Sequence, residues 1–446
     1  LPPGYEIAQK SVITYFGFPV FSAILLPLLS FFSSYFMNTT EKYLLRCPVC
    51  AVTYAPSEKA FTCAKCRAPT IVAMNLDTIP GLVPTKESSM WRYFDLLPLE
   101  ERKWIVSQGE GRTPLTTVPR LAKSLDVESL ALKNETMNPT GSFKDRQISL
   151  SISKARETGE TALAVISSGN VAAAAASYAA LAGMRCSIFA PGNAPEEKLL
   201  QARMYGASFF KVKTLSSSRI FKLVDAIRKK KNWHLLSTAG LYNPHQVEGA
   251  KTIAYELVEQ ISPLPDWIIA PVGGGGLIGA LWRGFEELRL LGRCGRSPAI
   301  VGVQSAACTP LVNAINKDLN PGDVIANPVN VSDTIAGAIA DDILFDAYTA
   351  LPAIRLTGGR ALSVTDEEML AAEKMLAETT GIFAEPASAS TIAALKKLVA
   401  SGTIQSCHRV CCIITGSGFK DMASAKKLVG EYSEIEPTEE AFEELD

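Results

Sequence analysis

The sequence has no excess of charge of either sign: 44 lysines and arginines stand against 45 aspartates and glutamates in 446 residues. That balance removes the basic surplus that nucleic-acid binding needs and the acidic surplus of a solvated, disordered chain. Aromatic residues are not interleaved with a basic run either, so no nucleic-acid partner is expected. Ten cysteines are spread thinly, without the compact framework that staples small secreted domains. Four of them pair as CxxC, which suits a reducing compartment and a metal, and a cytoplasmic location is the expectation. Nearly half of the residues are apolar, and a chain of this length is expected to form two or three domains.

One long run breaks the pattern. From Val12 to Phe36, "VITYFGFPVFSAILLPLLSFFSSYF" carries no charge and is long enough to span a bilayer. For residues 1–36 three readings are open: a membrane anchor, a signal peptide, or upstream translation outside the mature protein. No small-residue cleavage site stands out, and export would carry CxxC pairs into an oxidising space. Met37 heads an ordinary soluble start, "MNTTEKYLLRCPVC", so upstream translation leads. Any membrane contact would run only through residues 12–36, and the segment is expected to be dispensable for activity.

Residues 43–76 read as a zinc-ribbon-like module. "CPVCAVTYAPSEKAFTCAKC" holds Cys47, Cys50, Cys63 and Cys66, two CxxC pairs separated by a short polar, turn-rich stretch. Such spacing describes two thiolate knuckles closing one tetrahedral site, with no fifth position for chemistry. The zinc expected there is structural and would supply much of the folding energy of so small a segment.

Beyond "MWRYFDLLPLEERKW" short apolar runs fit for buried strands begin: 129–134, 161–168, 185–191 and 208–212, then 233–238, 267–273, 299–305 and 409–416. Helical stretches separate them, among them Ile148–Glu157, Val171–Ala182 and Pro195–Tyr205. The alternation predicts an α/β fold with two parallel-sheet domains covered on both faces. In such sheets ligands bind beyond the carboxyl ends of strands.

Three stretches stand at strand ends. "APVGGGGLIGALWRG" runs a strand through Gly273, Gly274, Gly275 and Gly276 into a helix, a backbone cradle for phosphate. A dinucleotide would want an acid at the end of the next strand, which instead ends in Gln304, and no Walker lysine follows. The loop therefore suits a lone phosphate monoester. In "ISSGNVAAAA", Ser167, Ser168, Gly169 and Asn170 open a helix of small residues and form a nest for a carboxylate. In "IITGSGFKD", Thr415 offers a hydroxyl at the end of the last strong strand.

Lys144 sits in "NPTGSFKDR" ahead of "QISLSISKAR", which reads as an amphipathic helix. Taken alone the stretch is a helix start, with Ser142 as N-cap and Asp145 favouring the dipole. Beside a phosphate cradle with no nucleotide signature, the lysine fits pyridoxal 5′-phosphate held as a Schiff base, with Phe143 packing near the ring.

"NPTGSFKDR", "SSGN", the glycine loop, "GIFAEPASASTIAAL" and "TGSGFKD" together resemble the threonine synthases, within the tryptophan-synthase-β-like (fold type II) family of pyridoxal-phosphate enzymes. The resemblance runs from about Cys47 to Asp421, and some members carry an N-terminal four-cysteine zinc ribbon. It implies that Lys144 is the Schiff-base lysine and proton shuttle, that Asn170 meets the cofactor's 3′ oxygen, and that Thr415 faces the pyridine nitrogen. Gly273 to Gly276 would hold the cofactor phosphate; Ser167, Ser168 and Gly169 would hold the substrate carboxylate. The large cofactor domain would comprise 77–144 and 234–430, the smaller one 145–233, with an acidic tail at 431–446. Family members are often homodimers.

The resemblance implies an amino-acid substrate, O-phosphohomoserine, converted with water to threonine and phosphate. The family's "NSxNPxRxEGxKT" stretch, positioned for the substrate phosphate, here reads "GLYNPHQVEGAKT". Gly240 and Leu241 replace the Asn-Ser pair, and Gln246 stands where the arginine would be; His245 is a weak substitute for a guanidinium. Val171 offers no hydroxyl, Gln147 sits where glycine usually follows the arginine, and "VGGGGLI" looks like the loop of serine and threonine dehydratases. A dehydratase-like β-eliminating lyase, or a β- or γ-replacement enzyme on a non-phosphorylated amino acid, is the alternative; a cofactor-binding scaffold without activity is a third.

Overall fold

The computed structural model describes residues 39–79, 87–192, 196–214, 217–431 and 433–443. The apolar run 12–36 and Met37 lie outside the described residues. Among those described, no helix is long and apolar enough to cross a membrane. The chain divides into two compact units, Leu1–Gly81 and Leu82–Asp446.

In the first unit, β1 (Tyr43–Arg46), β2 (Thr53–Tyr54) and β3 (Ile71–Met74) form an antiparallel sheet in the order β2-β1-β3. The two CxxC pairs close the same turn. Cys47 N–H donates to Val52 O and Ala51 N–H to Cys47 O; Cys63 N–H donates to Ala68 O and Arg67 N–H to Cys63 O. The residue after each second cysteine is left-handed, with φ 61° at Ala51 and 64° at Arg67.

Ten strands follow in the second unit: β4 (Leu115–Thr117), β5 (Ser129–Asn134), β6 (Ala162–Ile166), β7 (Arg185–Pro191), β8 (Ser208–Val212), β9 (His234–Leu236), β10 (Trp267–Pro271), β11 (Ala299–Ser305), β12 (Arg360–Val364) and β13 (Arg409–Ile414). They build a six-stranded sheet, β12-β11-β10-β13-β5-β4, and a four-stranded sheet, β8-β7-β6-β9. Every pairing is parallel except β4 with β5. β9 pairs with β6, so the smaller sheet extends past the expected boundary at residue 233. β4 and β12 have no counterpart in the apolar runs. Both are edge strands, and apart from the buried Val364 their residues are half-buried or exposed and do not need an apolar sequence.

Five helices carry or brace the strand ends: α1 (Lys144–Glu157), α2 (Asn170–Ala182), α3 (Thr252–Gln260), α4 (Gly276–Leu290) and α5 (Pro386–Ala400). α1 departs from the amphipathic expectation. Arg146 through Ala155 are all buried, so the helix has no solvent face over that span. Ile148 and Ile152 join the core beneath the smaller sheet, while Leu150 packs with Met90, Trp91 and Phe94. Its serines are spent on specific partners. Ser149 Oγ donates to Val106 O at 2.7 Å, and Ser151 Oγ lies 3.1 Å from His234 Nε2.

The polar centre of this region is Arg146, fully buried. Its Nε and Nη2 bond Glu135 at 2.7 and 2.8 Å, and Nη1 and Nη2 bond Glu256 at 2.5 and 2.8 Å. Thr252 and Thr113 hydroxyls complete the fork. Lys133 Nζ meets the same Glu256 at 2.6 Å, so two cations and two carboxylates cancel inside the core. Close approach makes this possible: a Cβ at Gly249 would sit 2.2 Å from Arg146 O, so the turn 246–251 can lie against α1 only with glycine there.

Removing one partner from such a buried group strands the others without compensation. Arg146→Ala is expected to destabilise the folded chain by about 3–5 kcal/mol, read by chemical denaturation. Burial pushes Glu256 up, but Arg146 and Lys133 overcome it and hold the carboxyl at about 2. Its contribution is therefore present above its ordinary range near 4.5 and lost as pH falls towards 2, which acid unfolding of wild type should follow.

Candidate active site

Lys144 opens α1, but not through the cap expected. Ser142 Oγ is buried with no partner, and the N-cap position is Phe143, without a side-chain cap. Asp145 instead reaches back, accepting from Thr140 N–H at 2.8 Å and Thr140 Oγ1 at 2.6 Å. That closes the loop ahead of the lysine into a fixed shape. The Lys144 ammonium stands 4.4 Å from the centroid of the Phe143 ring, with Gln147 Oε1 at 3.4 Å.

The other strand ends are tied to this loop. Phe143 N–H donates to Thr415 O at 2.9 Å, and Ser142 bridges to Gly416, so the lysine loop continues the end of β13. Thr415 Oγ1 lies 2.8 Å from Ser388 Oγ at the start of α5. Asn170, the first residue of α2, donates its amide to both oxygens of Glu385 at 3.0 and 3.2 Å. Ser167, Ser168 and Gly169 precede it, half-buried, with Gly169 N–H donating to Ser167 Oγ.

The glycine loop joins β10 to α4 and has no room for side chains. A Cβ at Gly273 would lie 2.7 Å from Asp341 Oδ2 and 2.8 Å from Ala338 O; at Gly275, where φ is +96°, it would lie 2.9 Å from Ala350 Cβ. Bare backbone leading into the N-terminus of a 15-residue helix is a cradle for a phosphate. With an amine, an amide and a hydroxyl on neighbouring strand ends, the residues present fit pyridoxal phosphate.

Three acids were not anticipated from the sequence: Glu385, Asp341 and Asp346. Glu385 lies within a quoted stretch, but only the contact with Asn170 gives it a task. Asp341 and Asp346 come from "ADDILFDAY", where acids interrupt apolar residues, the one signal of them in the sequence. Asp346 Oδ1 accepts from Gly240 N–H at 2.8 Å, and Asp346 N–H donates to Gly274 O at 2.8 Å. Gln246 is fully buried, and neither of its amide atoms has a hydrogen-bond partner.

Burial dominates the electrostatics. It pushes Lys144 down to about 8, against the pull of Asp341, Asp346 and Glu385. It pushes Asp341 up to about 6 and Asp346 up to about 7, with the Lys144 charge acting in the opposite sense. An amine lowered in this way is partly neutral near physiological pH, which nucleophilic attack on an aldehyde requires.

The family described as "Pyridoxal-phosphate dependent enzyme" matches residues 106–416, and the chain belongs to it. Within it, the threonine synthase of Methanocaldococcus jannaschii is 39% identical over 400 residues, covering 88% of this chain and 96% of that one. The threonine synthase of Methanosarcina acetivorans is 38% identical, covering 85% and 92%. The chain is thus a member of the threonine synthase family. The processed form of threonine deaminase isoform 2 from Solanum lycopersicum shares the fold, with a TM-score of 0.62 at 19% identity over 78% of this chain and 96% of that one.

The cofactor-free protein should react with pyridoxal phosphate at a rate that rises about tenfold per pH unit below 8 and levels above it, as the Lys144 ammonium deprotonates. Imine absorbance in stopped flow checks this. A profile still climbing at pH 10 would mean an ordinary, solvated lysine.

Proposed function

We propose that the chain is a threonine synthase, converting O-phosphohomoserine and water to L-threonine and phosphate. The observation that carries the reading is identity of 39% across nearly the full length of a threonine synthase. In this reading Lys144 would carry the cofactor, Gly273 to Gly276 would hold its phosphate, Asn170 would meet its 3′ oxygen and Thr415 its ring nitrogen. Bound there, the cofactor supplies an electron sink for the substrate's α-carbon. Phe143, 4.4 Å from the Lys144 ammonium, would pack near the cofactor ring. Ser167, Ser168 and Gly169 bind the substrate carboxylate, and Lys144 moves protons at the substrate carbons.

Glu385 acts as a positioning residue. A carboxylate only accepts, so its contact turns the Asn170 amide nitrogen towards it and fixes the orientation of that side chain. The Thr415 hydroxyl is held in the same way by Ser388. A neutral hydroxyl facing the ring nitrogen leaves it unprotonated, which favours elimination and replacement over transamination.

One observation favours a second reading, elimination or replacement on a non-phosphorylated amino acid. Gln246, at the position of the family's arginine, is a buried neutral amide without partners. Product identity separates the two. Threonine and phosphate from O-phosphohomoserine, abolished in Lys144→Ala, support the synthase; a 2-oxo acid and ammonia from serine or threonine, without phosphate release from O-phosphohomoserine, support the other.

We also propose a structural zinc in the N-terminal unit. Cys47, Cys50, Cys63 and Cys66 present sulfurs within 4.8 Å of one another, and all four are free thiols. Sulfurs about 2.3 Å from a central ion span such a cluster. The full chain is expected to hold one zinc by elemental analysis, lost in Cys47→Ser together with the order of residues 43–76 in hydrogen exchange.

A further inference from the structure

Loss of phosphate from O-phosphohomoserine leaves a negative charge on oxygen, and the stretch 240–252, which resembles the family's phosphate-binding pattern, carries no guanidinium here. What does meet that stretch is Asp346. Its Oδ1 is fixed by Gly240 N–H, at the position where the family has asparagine, and its backbone N–H is fixed to Gly274 O in the glycine loop. Its Oδ2 is buried and has no hydrogen-bond partner, lying 3.1 Å from where a Cβ on Gly276 would be. One oxygen anchored and one bare, between the glycine loop and Gly240, is an arrangement with a hydrogen bond left to make.

We propose that Asp346 is the acid that protonates the leaving oxygen and then recovers the proton from the attacking water. The inference rests on the elimination–hydration reading above. In the first half the Cγ–O bond breaks, its electron pair stays on the phosphate oxygen, and the Oδ2 proton moves there to release hydrogen phosphate. In the second half water adds its oxygen to Cβ, and its surplus proton returns to Asp346. The hydrogen that moves from Cβ to Cγ is left to Lys144, so one proton cycles through Asp346 per turnover and none is consumed.

The surroundings suit an acid of this kind. The charged groups that act on Asp346 are Lys144, Arg283 and Asp341; burial outweighs the two cations and holds the carboxyl near 7, where both of its forms are present. A carboxylic acid in this position neutralises developing charge by donating a proton, whereas the family's arginine would do so with a fixed positive charge.

The test uses the loaded enzyme and Asp346→Asn, which keeps an acceptor for Gly240 N–H and loses the proton. Turnover of O-phosphohomoserine should fall by roughly 100-fold or more. Cofactor absorbance and melting temperature should stay at wild-type values, and the decline of wild-type rate above about pH 7 should vanish. If wild type ignores O-phosphohomoserine yet eliminates from serine or homoserine, and Asp346→Asn loses that activity more severely, the synthase reading fails and the role of Asp346 stands. Wild-type rates and an unchanged pH profile in Asp346→Asn would overturn the proposal. Should the variant not fold, the wild-type profile decides: rates that do not decline above pH 7 for either phosphate or hydroxide departure overturn it equally.

Discussion

The site depends on a guanidinium that never meets substrate. Arg146 lies two residues after Lys144 on α1, and its fork is closed by Glu135, after β5, and Glu256, on α3. A buried ion of this kind persists only when each donor is satisfied, so its geometry tolerates little movement. It therefore fixes where α1 begins, and with it the lysine. The helix is otherwise too polar to be held by apolar packing alone; it needs partners for Ser149, Ser151 and Arg146, and those partners come from different elements of the fold.

From that fixed start the remaining groups follow through short hydrogen bonds between the strand-end loops. The lysine loop bonds the end of β13, which brings Thr415 alongside; Glu385 at the start of α5 reaches across to Asn170 on α2. Groups from distant parts of the chain converge because parallel strands deliver their carboxyl ends to one side. Burial then sets the chemistry, lowering the lysine and raising the acids so that protons are exchangeable near neutral pH. The N-terminal unit has an independent logic, two matching turns that bring four sulfurs together.

The strands with continuous apolar runs were legible in the sequence, since a strand buried on both faces needs nothing else. Edge strands β4 and β12 were not, because solvent relieves that demand. The glycine loop, Asn170 and Thr415 are legible as residues at strand ends, Lys144 as a lysine at a helix start beside a phosphate cradle, and the family resemblance supplies their expected roles. The cap at Lys144 is not legible from residue type: Ser142 has the right type, but Thr140 and Asp145 close the loop through a bond that spacing does not reveal. The burial of α1 is hidden for a similar reason, because a helix rich in serine looks solvent-facing unless the partners of each hydroxyl are known. Asp346 carries no local signal of its role, since its meaning comes from Gly240, more than a hundred residues away.

On this geometry Lys144, and not another lysine, holds the cofactor. Reduction of the protein with borohydride after loading with pyridoxal phosphate, followed by digestion and mass spectrometry, tests it directly. The account predicts one phosphopyridoxyl group, on the peptide containing Lys144. Label on a different lysine, or none despite bound cofactor, would contradict it.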